Sequence, residues 1–161
     1  MSFLFYVCAH DGISCDAFSL STFFRSETTN FAYMFAGATA FDIDLSGWDM
    51  RSATDLQYMF NGATAFNQSL GGWQTSRVTT FAWMFQGASS FDGDLSYWVI
   101  RSANVQAMFL EAYAFTGRGL DTWQVSGTLN QYLAYGMYSS NKIGLFYGLT
   151  KFNTDISGWN M

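Results

Sequence analysis

Tryptophan returns at a fixed interval along this 161-residue chain. A step of 25 residues separates Trp48, Trp73, Trp98 and Trp123. A Leu stands three residues before each of them, and Met-Phe dipeptides keep nearly the same step at Met34, Met59, Met84 and Met108. A constant period of this kind is typical of a protein built from stacked units, each burying its apolar side chains against its neighbours.

The period also accounts for an unusual composition. Aromatic residues make up 20% of the chain, charged residues 12%, and Pro is absent. Ordinary domains carry about 25% charged residues, so this chain is too apolar to be disordered. Stacking the units places Trp above Trp and Phe above Phe, which assigns most of the aromatic rings to a core without requiring a cofactor.

The first part of each unit predicts a short helix. Phe31, Met34, Phe35 and Ala38 follow the i, i+3, i+4, i+7 spacing of a helix face, and the later units repeat it. Residues suited to an N-cap precede these segments at Asn30, Asp55, Thr80 and Asn104. Glycines suited to a left-handed helix end follow at Gly37, Gly62 and Gly87. The sequence therefore predicts a helix of about two turns per unit.

The second part of each unit predicts a strand. Residues 95–100 read L-S-Y-W-V-I, with large apolar side chains at the first, fourth and sixth places. This resembles the L-x-x-L-x-L strand of leucine-rich repeats. Burying the large side chains of one unit gains about 8–15 kcal/mol, whereas ordering its residues costs about 1.5 kcal/mol each. One unit cannot fold alone, so the units must stack.

Residues 78–98 carry the complete motif, V-T-x-φ-x-x-M-F-x-G-A-x-x-F-D-x-D-L-S-x-W. This unit resembles the repeat of BspA-like leucine-rich repeat surface proteins, a repeat also associated with mycoplasma lipoproteins, and the resemblance covers roughly residues 16–161. It implies an α/β fold: a right-handed leucine-rich-repeat-type solenoid with a short parallel strand and a short helix per coil. It also implies a cell-surface or secreted location and a role in adhesion or protein binding. The Asn of ordinary leucine-rich repeats is replaced by Ala53, Val78 and Ala103.

The expected organisation is an N-terminal cap or remnant over residues 1–15 and one solenoid of about five to six coils over residues 16–161. An irregular coil covers residues 124–158, because Trp123 and Trp159 are 36 residues apart. Either Leu129, Tyr132 and Leu133 continue the repeat and the extra residues follow, or Leu145–Gly148 is the Met-Phe copy and the extra residues precede it. The chain stops inside a strand motif, so we expect it either to continue in nature or to stack end to end.

Two groups of residues are candidates for binding. The strand positions that face away from the core form a polar surface, with candidate contacts at Asp49, Arg51, Gln74, Tyr97, Val99, Arg101 and Gln124. The irregular coil adds tyrosines suited to an interface at Tyr132, Tyr135, Tyr138 and Tyr147. The expected partner is another protein or a surface glycan. A merely solvated strand face and internally packed tyrosines are the competing interpretations.

Other motifs carry weaker signals. The pairs Asp42 and Asp44, Asp92 and Asp94, and Asn153 and Asp155 suit calcium, but the intervening units break the pattern, which favours Asx turns. His10 with Cys8 and Cys15 fits no standard metal spacing. The two cysteines could form a disulfide or stay reduced, and Asn67-Gln-Ser69 satisfies a glycosylation sequon.

Charge and hydropathy argue against two classes of function, nucleic-acid binding and membrane insertion. The net charge is -5 and the basic residues are isolated, which argues against nucleic acid as a partner. The apolar run from Phe3 to Ala9 is far shorter than the ~20 residues of a membrane helix and has no basic residue before it, which makes a poor signal peptide. We therefore expect a non-enzymatic, macromolecule-binding solenoid with no cofactor or metal. The alternative is a structural or assembly module, or a fragment of a longer surface protein.

Overall fold

The computed structural model describes residues 27–101, 103–126 and 144–159. Its regular elements are strand β1 (Val99–Arg101), a 3₁₀ helix (Leu120–Thr122) and strand β2 (Gln124–Ser126). The two strands form a parallel sheet in which Val99 pairs with Gln124 and Arg101 with Ser126. Single parallel bridges join further units along the series Asn30, Asp55, Thr80 and Asn104. We name each unit by its tryptophan, from the Trp48 unit to the Trp159 unit.

One apolar cluster runs through all the described units. The second Phe of the unit stacks on its neighbours, with ring centroids 5.5 Å apart between Phe35 and Phe60 and 5.6 Å apart between Phe85 and Phe109. A parallel row stacks at 5.5–5.9 Å through Phe41, Phe66, Phe91 and Phe115. The predicted spines of stacked rings therefore form the core of a repetitive structure.

The predicted helices are wrong. Residues 32–37, and their equivalents in the next units, form successive turns, and the described residues contain only the one 3₁₀ helix. Every second backbone N–H group donates to a carbonyl oxygen of the next unit. Phe31 donates to Asp55 at 2.9 Å, and Phe35 donates to Met59 at 2.8 Å. The N–H groups between them close turns onto the residue three places earlier, as Ala38 does onto Phe35 at 3.1 Å.

Backbone hydrogen bonds between units explain why helices do not form. A helix uses its N–H groups within its own segment, whereas here alternate N–H groups donate to the next unit, as Phe60 does to Met84 at 2.9 Å. Backbones paired in this way lie about 5 Å apart, which is closer than the spacing of about 8–10 Å between packed helices. The turns bring the chain back to the same side every three or four residues, which reproduces the apolar spacing of a helix. The α/β class and the helix of each coil are corrected accordingly.

Left-handed residues interrupt each turn segment at two fixed places. The first place is occupied by the non-glycine residues Tyr33, Tyr58, Trp83 and Ala107, with φ between 50° and 61°. The second is occupied by Gly37, Gly62, Gly87, Glu111 and Gly148, with φ between 62° and 81°. The left-handed conformation predicted for the three repeat glycines is therefore confirmed, but it ends a series of turns rather than a helix.

The residues predicted as N-caps accept backbone hydrogen bonds, although no helix follows them. Side-chain oxygens of Asn30, Asp55 and Asn104 each accept the backbone N–H two residues later, at 2.9–3.0 Å. Thr80 accepts from Ala82 in the same way at 3.3 Å. These Asx-type turns begin each turn segment beside the parallel bridges.

In the Trp159 unit, Leu145 and Phe146 occupy the place of the Met-Phe pair. Leu145 is fully buried, Phe146 contacts Phe152 at a centroid distance of 4.6 Å, and a Cβ on Gly148 would approach the backbone of the preceding unit at Glu111. Phe146 precedes Trp159 by 13 residues, the interval that separates Phe35 from Trp48. The extra residues therefore precede Leu145, which is the second of the two alternatives.

Candidate functional site

We call the residues that the sequence predicts to face outward the sheet face: Asp49, Arg51, Gln74, Tyr97, Val99, Arg101 and Gln124. Val99 and Arg101 lie in β1 and Gln124 in β2, whereas Arg51 and Tyr97 lie in turns and Asp49 and Gln74 lie outside the two strands. All are exposed except Val99, which is partly buried. Within β1 and β2, Ile100 and Val125 turn inward and pair with each other, which leaves the residues on either side facing out. Val99 and Gln124 lie side by side in register.

Arg51 and Asp49 form a bidentate ion pair on this face. The guanidinium Nη2 and Nε donate to the two carboxylate oxygens at 2.6 Å and 2.9 Å. The backbone N–H of Arg51 also donates to Asp49, at 3.1 Å. These bonds, the guanidinium first, lower the pKa of Asp49 from 3.8 to about 2. The planar fork fixes the orientation of both side chains at the surface.

Tyr97 is the most prominent side chain of the sheet face. It is 72% exposed, although its φ of 66° lies in the left-handed region that large side chains avoid. Its backbone N–H donates to the hydroxyl of Thr122 in the next unit at 2.8 Å. The Trp48 and Trp73 units have Gly47 and Gly72 at the equivalent position. The Trp98 unit therefore places a large ring where the two preceding units have glycine and the following unit has Thr122.

The acidic residues considered for calcium hydrogen-bond to the backbone. Asp44, Asp94 and Asp155 accept the N–H two residues later at 2.8–2.9 Å, which confirms the predicted Asx turns. Hydrogen bonds from the backbone N–H, and then the side chain, of Ser46 and of Ser157 lower the pKa of Asp44 and of Asp155. In the described part of the chain, no three His, Cys, Asp or Glu side chains are grouped as metal ligands.

A second polar series links one unit to the next. The Oδ1 of Asp42 accepts the N–H of Asn67, the Oδ1 of Asn67 accepts that of Asp92, and the Oδ1 of Asp92 accepts that of Thr116, at 2.8–2.9 Å. The side chain of the sequon residue Asn67 therefore belongs to this ladder. This ladder lies at a different position of the repeat from Ala53, Val78 and Ala103, where leucine-rich repeats carry Asn.

A further aromatic row, which the sequence patterns above do not predict, lies on the turn segments. Tyr33 stacks on Tyr58 with ring centroids 4.6 Å apart, and Tyr58 stacks on Trp83 at 6.0 Å. Tyr33 is 50% exposed, and burial followed by the proximity of Tyr33 raises the pKa of Tyr58. The signal was present, since these residues also recur every 25 positions. The helix interpretation hides this recurrence, because it places the three rings outside the apolar face of each predicted helix.

Of the tyrosines proposed as contacts in the irregular coil, Tyr147 is partly buried. Tyr132, Tyr135 and Tyr138 lie outside the described residues, as do His10 and both cysteines. Within the described ranges there is no helix with the length and apolarity that crossing a bilayer requires.

These features define a class of protein: a repeat structure with short parallel pairing, stacked rings in its core and almost no helix. The chain belongs to DUF285, a family of Mycoplasma proteins of unknown function, whose model matches residues 1–132. No curated protein and no solved structure matches the chain significantly.

Proposed function

We propose that this DUF285 member is a right-handed, leucine-rich-repeat-type solenoid related to the BspA-like surface proteins, and that it is a non-enzymatic binding module. Its sheet face binds another macromolecule, a protein or a surface glycan, in adhesion or a comparable interaction. Parallel pairing of β1 with β2 and the ring stacking between successive units support the solenoid.

The observation that carries the binding proposal is Tyr97. Its side chain is 72% exposed, compared with 50% for Tyr33 and 51% for Tyr113. The ring therefore does not serve core packing. Tyrosine suits a contact site because it supplies a large contact area at low entropic cost.

The residues around Tyr97 suit a contact surface. Gln74 and Gln124 are exposed and offer amide donors and acceptors, and Val99 adds a small apolar area. The Asp49–Arg51 pair presents a fixed charge pattern, and Arg101 adds a further exposed guanidinium. An aromatic centre surrounded by polar groups is the usual composition of a macromolecular interface.

A photo-crosslinking amino acid placed at Tyr97 tests the proposal. Tyr113 is the matched control, because it is also exposed, at 51%, and lies outside the sheet face. With extracts of the native cell surface, we expect discrete adducts from position 97 and none from position 113. The double variant Tyr97→Ala/Gln74→Ala should lose capture of the same component while its circular dichroism stays unchanged. Equal adducts from both positions, or undiminished capture by the double variant, would remove the sheet face as the binding site.

A further inference from the structure

Arginines that are isolated in the sequence come together at one corner of the structure. Arg51 and Arg101 occupy the same position in the Trp48 and Trp98 units, and Arg77 follows that position by one residue in the unit between them. All three are exposed. Close to these residues the units are joined by backbone hydrogen bonds, from Thr79 to Thr54 at 2.9 Å and from Asn104 to Thr79 at 3.0 Å. Backbones paired in this way lie about 5 Å apart, so the three arginines fall along a line of roughly 10 Å. We call this group the arginine corner.

Two of the three arginines in the corner make no ion pair within the described part of the chain. Within residues 27–101, 103–126 and 144–159 the one ion pair is that of Arg51 with Asp49. Arg77 and Arg101 therefore have no carboxylate of the described chain at ion-pair distance. On a protein of net charge -5, two neighbouring guanidinium groups without an ion pair to the described residues favour a ligand with acidic groups at that point.

The groups beside the corner fit a sugar polymer. Tyr97 precedes Arg101 by four residues, and its side chain is 72% exposed. Gln74, Ser76 and Ser126 are exposed and supply neutral hydrogen-bonding groups. Hydroxyl groups suit such amides and hydroxyls, the apolar face of a pyranose packs on an aromatic ring, and carboxylate or sulfate groups take the bidentate geometry of arginine.

We infer that the arginine corner and Tyr97 bind an acidic polysaccharide that runs along the stack of units. This rests on the proposed function, since it assigns a ligand to the same face. The step of about 5 Å between units is close to the length of one pyranose, so neighbouring arginines can meet neighbouring sugars. An extended acidic peptide lacks the row of hydroxyl groups and the flat apolar ring faces that the amides, hydroxyls and aromatic ring of this surface suit. Nucleic acid would require more neutralised phosphates than Arg77 and Arg101 provide.

Binding of defined polymers to the intact chain tests the inference. The probes are dextran sulfate, for sulfated sugars, and polygalacturonate, for carboxylated sugars; neutral dextran and polyglutamate serve as comparisons. We expect at least one acidic polysaccharide to bind more tightly than both comparison polymers, and the tighter of the two identifies the acidic group. The variant Arg77→Gln/Arg101→Gln should weaken that binding about tenfold or more.

The control variant Arg118→Gln/Lys151→Gln removes the same charge from two exposed residues outside the sheet face. It should leave the affinity within about twofold, which is the ordinary size of a surface substitution effect. Equal losses in the two double variants would mean that binding is a general charge effect and would overturn the inference. Undiminished binding by Arg77→Gln/Arg101→Gln, or polyglutamate binding as tight as that of the polysaccharides, would also overturn it.

The experiments distinguish an incorrect ligand from an incorrect binding surface. If wild type binds neither acidic polysaccharide while position 97 still forms adducts that position 113 does not, the sheet face stands and the acidic-sugar assignment is wrong. If the acidic polysaccharide binds and Arg77→Gln/Arg101→Gln loses it, both stand.

Discussion

The indole N–H of Trp98 donates to the carbonyl oxygen of Leu70, one unit earlier, at 2.9 Å. The same oxygen accepts the backbone N–H of Trp73 at 3.0 Å, so both of its lone pairs are used. Equivalent bonds join Trp73 to Leu45, Trp123 to Leu95 and Trp159 to Leu120, at 2.7–3.0 Å. The Leu-x-x-Trp motif therefore closes a turn within each unit and binds that unit to the next one.

Replacing Trp98 with Phe should lower the free energy of unfolding by about 2–3 kcal/mol. The indole is fully buried and lies between Trp73 and Trp123, with centroids 6.3 Å and 6.1 Å away. The substitution loses a hydrogen bond worth about 1 kcal/mol and leaves a cavity worth about 1–2 kcal/mol. Chemical denaturation followed by fluorescence measures the change.

Trp83→Phe is the matched control for Trp98→Phe, because Trp83 is only partly buried on the aromatic row of the turn segments. We expect it to cost less than about 1 kcal/mol. Equal losses from the two variants would mean that the hydrogen bond to Leu70 and the buried indole stack add nothing beyond ring size.

Gly93→Ala should destabilise the protein, whereas Gly47→Ala should not. A Cβ on Gly93 would collide with the carbonyl oxygen of Gln68 in the preceding unit, and a Cβ on Gly47 would meet nothing within 4 Å. Moving the backbone to make room costs about 1–3 kcal/mol. Thermal unfolding of the two variants measures the difference. A Gly93→Ala protein as stable as Gly47→Ala would show that the units do not approach each other so closely.

The sequence predicted the stacking better than it predicted the backbone. The spacing of Trp73 and Trp98 required ring above ring, and the Asx turn at Asp44 followed from residue type. The helix was wrong because residues 31–38 satisfy helix periodicity and turn periodicity alike. Local pattern cannot separate the two, whereas the backbone hydrogen bonds between units can. The N–H of Phe35 donates to Met59 in the next unit at 2.8 Å and is therefore not used within a helix.

The sheet face was only partly predictable for a related reason. Alternation along the strand placed Val99 and Arg101 outward, but no local signal revealed the strained φ of Tyr97. The arginine corner was missed because Arg51 and Arg77 are isolated along the chain. Charges that are far apart in sequence become neighbours once the period is applied, so charge in a repeat protein must be assessed by unit position.

Asp92→Ala should weaken the ladder that joins the units, and Asp92→Asn should largely preserve it. The Oδ1 of Asp92 accepts both the backbone N–H of Thr116 at 2.9 Å and its hydroxyl at 2.7 Å. Alanine removes both bonds at a cost of about 1–2 kcal/mol, whereas asparagine keeps an acceptor at the same atom. Equilibrium denaturation of the two variants gives the difference, and equal stabilities would show that the bonds to Thr116 are not needed.

The ion pair of Asp49 should be visible as a titration. The pKa of Asp49 falls from 3.8 to about 2 in the folded protein, because the guanidinium and then the backbone N–H of Arg51 donate to its carboxylate. A carboxyl group with a lowered folded pKa stabilises the protein above its unfolded pKa, and that contribution disappears as the pH falls from about 4 towards 2. Carbon-detected NMR of the Asp49 carboxyl group against pH measures the value.

Arg51→Gln separates the two causes of the lowered pKa. It removes the guanidinium bonds at 2.6 Å and 2.9 Å but leaves the backbone N–H at 3.1 Å. The pKa of Asp49 should therefore rise towards 3.8 without fully reaching it. Asp44 is the internal control, since Ser46 and not Arg51 lowers its pKa, and its titration should stay where it is. An unchanged Asp49 titration in Arg51→Gln would mean that the guanidinium does not hold this carboxylate in solution, and the fixed charge pattern at that end of the sheet face would be lost with it.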